Sequence, residues 1–250
     1  MESPRQPATA PEAEVLHVPA LVHGRVLLES SPAPTALLVG FHGYAQRGED
    51  ALAFLRPLVA GEGGAPPRNW AIAAPQALHP FYRTRDQEVV AGWMTKLDRE
   101  LAIADNVAYT ARAVAELRQR LPTVRRLGIV AFSQGVAIGY RTAARCGQRV
   151  DAVVALAGDL PPELHGVGPD GLWGTRPPVL IGRGDGEEWY SEEKLAADVA
   201  ALGALKMPVE VCRFAGGHEW GAAFVERARA FLAAHLEGVP VASVPEAAAP

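Results

Sequence analysis

Leu127-Gly128-Ile129-Val130-Ala131-Phe132-Ser133-Gln134-Gly135-Val136-Ala137-Ile138 decides the reading of this chain. It opens as an apolar run of the kind that forms a buried strand and continues, from Val136, as a helix. Only Phe132-Ser133-Gln134 lies between the two, which leaves no room for a loop. A strand that becomes a helix within so few residues needs a sharp, strained turn. The residue at its apex stands out of the sheet, and here it is a serine. This is the pattern of the G-x-S-x-G nucleophile elbow, with Ala131 in place of the first glycine and hence an extra methyl to house. The simpler alternative is that Ser133 only caps the following helix, since serine favours N-caps.

The flanking sequence repeats this alternation. Continuous apolar runs at 36–41, 70–74, 152–157 and 179–182 read as strands covered on both faces, as in a parallel sheet. Residues 21–28 read as an early strand and 209–214 as the last. Helices are expected at 49–58, at 98–121 with Asp98 as N-cap, after Ser191, and at 220–235. Strands alternating with helices from 36 to 235 predict one α/β domain with a mostly parallel sheet and helices on both faces. Its expected span is 13–238, with a disordered tail at 1–12 and a frayed Pro/Ala tail at 239–250. Loops rich in Gly and Pro are expected at 61–67 and 158–178. Residues 76–96 show no clear period; a long aperiodic stretch in a compact domain is often functional, and the equal alternative is a surface loop whose aromatics anchor it to the core.

Composition narrows the classes. The 250 residues can bury a large core, and 49% hydrophobic with 21% charged residues is ordinary for a soluble enzyme. A net charge of -4 without a basic stripe gives no reason to expect a nucleic-acid partner. No run approaches the ~18 apolar residues needed to span a membrane, and the N-terminus lacks the apolar segment of a secretory signal. Cys146 and Cys212 match no metal spacing and read as reduced thiols of a cytoplasmic protein.

A serine nucleophile needs a base, and the base needs an orienting carboxylate. The chain supplies both in the order serine, acid, histidine. After the strand at 179–182 comes Gly184-Asp185-Gly186-Glu187-Glu188, and after the last strand comes Gly216-Gly217-His218. Loops that follow parallel strands share one edge of the sheet, where such sheets bind ligands. Two backbone amides are expected to meet the oxyanion. Gln134 supplies one. The turn His42-Gly43-Tyr44-Ala45 supplies the other, assigned to Tyr44 because Gly43 lets the backbone turn in tightly. His42 as a metal ligand lacks a second ligand at a useful spacing, so no metal is expected.

Together, Phe41-His42-Gly43, Phe132-Ser133-Gln134-Gly135 and Gly216-Gly217-His218 resemble the phospholipase/carboxylesterase family of α/β-hydrolases, which includes the acyl-protein thioesterases. The likeness covers about residues 35–235 and departs from the family at Ala131, Val136 and the acid loop. It implies the α/β-hydrolase fold and a serine hydrolase acting on carboxylic esters or thioesters without a cofactor. On the family's Gly-x-x-Asp pattern the acid slot falls on Glu187, with Asp185 the second choice and Glu188 a solvated neighbour. Phe81, Tyr82, Trp93 and Met94 are the expected substrate walls. The expected partner is a small-molecule ester, with a homodimer left open. The reading from a different class is a non-catalytic ligand-binding protein on the same scaffold.

Overall fold

The computed structural model describes residues 13–61, 68–84, 86–166 and 173–237. The expected tails, and parts of the loops expected at 61–67 and 158–178, lie outside the described residues.

Seven strands form one sheet in the order β1 (Val26–Ser30), β3 (Trp70–Pro75), β2 (Ala36–Phe41), β6 (Arg126–Phe132), β7 (Ala152–Leu156), β8 (Val179–Gly184), β9 (Val209–Phe214). All neighbours run parallel except β1, which pairs antiparallel with β3 at the edge. The central strands are buried throughout, save Arg126 at the start of β6, which is why they read as unbroken apolar runs rather than alternating ones.

Side chains alternate between two cores. Leu37, Val39, Leu127 and Ile129 face one, packed by α2 (Arg99–Arg120), α3 (Gln134–Arg145) and α4 (Glu192–Ala204). Ala36, Leu38, Val130 and Phe132 face the other, packed by α1 (Gly48–Val59) and α5 (Ala222–Leu236).

The aperiodic stretch is not irregular throughout. It holds an antiparallel hairpin, β4 (His79–Tyr82) and β5 (Val89–Gly92), separate from the main sheet. Gln46, just past β2, bridges to Ala91 of this hairpin. Asp98 precedes α2 as expected, but its backbone is left-handed and its side chain caps nothing. Its carboxylate instead lies 3.0 Å from His17 Nε2.

Candidate active site

The parallel strands all point their C-terminal ends to one edge. The turn after β2, the elbow after β6, the loop after β8 and the loop after β9 therefore meet there. Ser133 follows β6, near the middle of the sheet, with φ 53° and ψ −126°. That backbone is costly for a residue with a side chain. The structure over-determines it. Ser133 N–H donates to Leu156 C=O at 2.9 Å, and Val136 N–H donates to Ser133 C=O at 2.9 Å. A Cβ at Gly135 would stand 2.4 Å from the carbonyl oxygens of both Phe41 and His42, so only glycine fits where β2 passes the elbow. Ala131 is housed by Gly139 on α3, where a Cβ would lie 2.9 Å from the Ala131 methyl. The missing elbow glycine is thus matched by a glycine on the facing helix.

Ser133 Oγ makes no capping bond to the helix. It lies 2.8 Å from His218 Nε2. His218 Nδ1 lies 2.7 Å from Glu187 Oε2. The other Glu187 oxygen accepts from Trp189 N–H at 2.7 Å and Tyr190 N–H at 3.2 Å. Burial pushes the Glu187 carboxyl up, but the Trp189 amide, His218 and the Tyr190 amide together hold it below its usual range. An ionised carboxylate only accepts, so the imidazole carries its proton on Nδ1 and presents a bare Nε2 to the serine. Asp185 and Glu188 are exposed and outside this chain of bonds. Asp185 sits in the turn, its amide bonded to Phe214 C=O.

In the turn after β2, Gly43 N–H donates to Gln46 Oε1 at 2.6 Å and Ala45 N–H to Ala91 C=O at 3.0 Å. The turn packs on the elbow, since a Cβ at Gly43 would sit 3.3 Å from Ser133 Cβ. His42 lies beneath it, fully buried. Its Nε2 accepts from Ala77 N–H at 3.1 Å and its Nδ1 donates to Gly43 C=O at 2.7 Å. Burial holds its pKa low, in keeping with this neutral tautomer.

Comparison of the sequence with protein-family models and with curated proteins gives no match. Solved structures do match by shape. Esterase PE8 superposes with a TM-score of 0.64 at 23% identity, over 85% of this chain and 98% of its own. Acyl-protein thioesterase 2 of Zea mays gives 0.62 at 18%, over 86% and 100%. The Bacillus cereus carboxylesterase gives 0.61 at 12%, over 82% and 92%.

The chain has the α/β-hydrolase fold.

In this hydrolase fold a cleft of about 280 Å³ opens beside Ser133. Of the four expected walls, Met94 lines it. Trp93 does not, which corrects that expectation. Its ring is fully buried, tilted at 31° against His42 with centroids 5.0 Å apart, with Nε1–H donating to His42 C=O at 2.8 Å. Trp93 therefore braces the turn after β2 from below. Phe81 and Tyr82 are also displaced from the cleft. Phe81 stacks on Tyr44 at 5.5 Å, and Tyr82 is exposed on the hairpin. The walls that went unread are Trp189 and Tyr190, from the acid loop, and Ala137 and Gly158. A larger hollow of about 450 Å³ lies between β1 and α2, away from Ser133 and His218.

Two further residues had no clear signal in the sequence. The Gln134 side chain accepts from Trp93 N–H at 2.8 Å and donates to Met94 C=O at 2.9 Å, fastening the end of β5 to the elbow. Arg183, buried at the end of β8, donates to the carbonyls of Tyr190, Gly184 and Glu187. Its guanidinium is the hub around which the acid loop is wrapped.

Proposed function

We propose that this chain is a serine hydrolase that cleaves carboxylic esters through an acyl-enzyme on Ser133. The observation that carries this reading is the continuous bond chain from Glu187 through His218 to Ser133, on a strained elbow that holds its serine for no capping purpose. A serine that served only as ligand-binding surface would not need a part-buried histidine held by a buried carboxylate, which argues against the non-catalytic alternative.

In this mechanism His218 Nε2 takes the Ser133 proton as Oγ attacks the acyl carbonyl. Glu187 stabilises the imidazolium that forms and keeps Nδ1 protonated. The oxyanion is met by Gln134 N–H at the start of α3 and by Tyr44 N–H. His42 orients the second donor: in a trans peptide, holding Gly43 C=O toward the ring turns Tyr44 N–H the opposite way. His218 then gives its proton to the leaving atom, and water repeats the sequence to release the acid. An oxygen or a sulfur leaving atom is served by the same geometry. Residues 13–238 act as a single catalytic domain, since every group of the mechanism lies at one edge of one sheet.

A fluorophosphonate should label Ser133 in the folded protein, and Ser133→Ala should abolish both labelling and turnover of p-nitrophenyl esters. Glu187→Gln should lower kcat by orders of magnitude through the wrong tautomer, and Asp185→Asn should not. Turnover by Ser133→Ala above about a tenth of wild type would remove Ser133 as nucleophile.

A further inference from the structure

The cleft beside Ser133 has walls of mixed character. Met94, Ala137, Ala157 and Trp189 are apolar, but Arg99, Lys194 and Asp159 also line it. Lys194 Nζ lies 3.2 Å from Asp159 Oδ2 and donates to Trp189 C=O at 2.9 Å, so its charge is partly answered. Among the described residues Arg99 pairs with its chain neighbour Glu100, at 3.1 Å, in an exposed pair of the kind that contributes little. Of the charged groups that line the cleft, two are cations and one is a carboxylate, and the Arg99 guanidinium, whose partner Glu100 lies outside the lining, is the most available donor. A purely aliphatic chain seated here would make no use of either cation.

Size and side narrow the occupant. At about 30 Å³ per water-sized group, the cleft has room for about nine non-hydrogen atoms. His218 must reach the leaving atom, yet it does not line this cleft. The leaving group therefore lies on the His218 side, and the cleft holds the acyl portion.

Resting on the serine-hydrolase reading above, we propose that the cleft selects esters of short dicarboxylic acids, with the far carboxylate of the acyl chain held by Arg99 and Lys194. The planar guanidinium suits a carboxylate in a two-pronged bond, and Lys194 adds a point charge beside it. The free carboxylate takes no part in bond making; it orients the scissile carbonyl toward Ser133.

The test compares mono-p-nitrophenyl adipate with p-nitrophenyl hexanoate, matched in chain length, on the full chain. Wild type should favour the adipate in kcat/KM by about tenfold or more, mainly through KM, as expected for a charge-assisted bond. Arg99→Gln should reduce the adipate-to-hexanoate ratio by about tenfold, and Arg99→Glu should invert the preference. A wild-type preference for hexanoate, or a ratio unmoved by either Arg99 variant, would overturn the inference while leaving the serine-hydrolase reading intact. Absence of turnover on both esters together with no fluorophosphonate adduct would defeat both.

Discussion

Ser133 holds a backbone conformation, φ 53° and ψ −126°, that costs about 1–3 kcal/mol for a non-glycine residue. The neighbouring Gly158 shows how tightly that geometry is enclosed, because a Cβ there would lie 2.4 Å from Ser133 C=O. The strain holds Oγ clear of the helix and within reach of His218, so it serves position rather than stability. The serine and its replacements should then differ in a defined way. Ser133→Ala keeps the Cβ and the strain, whereas Ser133→Gly relieves it at the expense of a more flexible unfolded chain. Ser133→Gly should be more stable than Ser133→Ala by about 1 kcal/mol, read as a higher denaturant midpoint at unchanged slope. Equal midpoints would mean that the turn is not under strain. His42 makes a second point at this scale. Its value lies in a neutral ring with one donor and one acceptor, each used, and nothing in the dipeptide His-Gly distinguishes that from an exposed histidine.

Among the elements, those closed by their own residues were legible in the sequence. The runs at 36–41 and 152–156 are buried on both faces, so apolar continuity sufficed to find them. Ser191 was legible as a cap because its side chain does accept from the helix, at Lys194 N–H. The order serine, carboxylate, histidine was legible because each follows a strand of one parallel sheet. The β4–β5 hairpin was not. Its strands are four residues long, Pro80 interrupts the pattern, and its seat depends on Gln46 and Gln134, both remote in sequence. Trp93 was undecided for the same reason: an aromatic residue in an aperiodic stretch reads equally as a pocket wall or as an anchor to the core, and its indole bonds beneath the β2 turn. The acid loop shows the limit most clearly. Which of three neighbouring carboxylates turns inward depends on Arg183, whose guanidinium gathers three loop carbonyls and leaves Glu187 facing His218. Arg183→Met keeps the stem and removes those bonds. It should lower kcat by about tenfold to a hundredfold with a smaller change in KM, as misplacement of a supporting shell does. The downfield proton resonance of His218 Nδ1–H should broaden or shift in the same variant. A normal kcat with an unchanged resonance would show that the loop holds its shape without the guanidinium.

For the whole molecule, ion pairing and burial set how the fold answers acid. Among the described residues, three carboxyls on which burial is the largest single influence nevertheless have lowered pKa values. Burial raises Glu187, Asp151 and Glu163, but hydrogen bonds and positive partners more than reverse it in each. Asp151 is the cleanest case, because it lies away from the candidate site. Its oxygens meet Arg126 and Arg149, each at 2.9 Å, and the Leu127 amide at 3.0 Å, which pins the start of β6 to the start of β7. A carboxyl whose folded pKa lies below its unfolded value contributes stability that is complete above the unfolded value and lost as pH falls through the folded one. The unfolded values are 3.8 for Asp151 and 4.5 for the two glutamates. Asp198 opposes them. Burial raises its pKa despite the Leu160 amide and the Tyr190 hydroxyl, so its contribution is present below 3.8 and lost as pH rises through its folded value. Three against one, the balance should fall on the acid side. The denaturant midpoint should begin to fall below about pH 6.5, where the unfolded chain takes up protons that the buried His42 and the part-buried His235 resist, and drop more steeply below about pH 5 as the carboxyls protonate. Asp151→Asn should lower the neutral-pH stability by about 1 kcal/mol, a modest figure because both arginines are well exposed. It should also make the acid limb shallower, since the variant has no proton to take up there. Asp198→Asn should do the reverse and steepen that limb. Parallel acid limbs in wild type and Asp151→Asn would place the acid sensitivity elsewhere, with Glu187→Gln the next variant to compare.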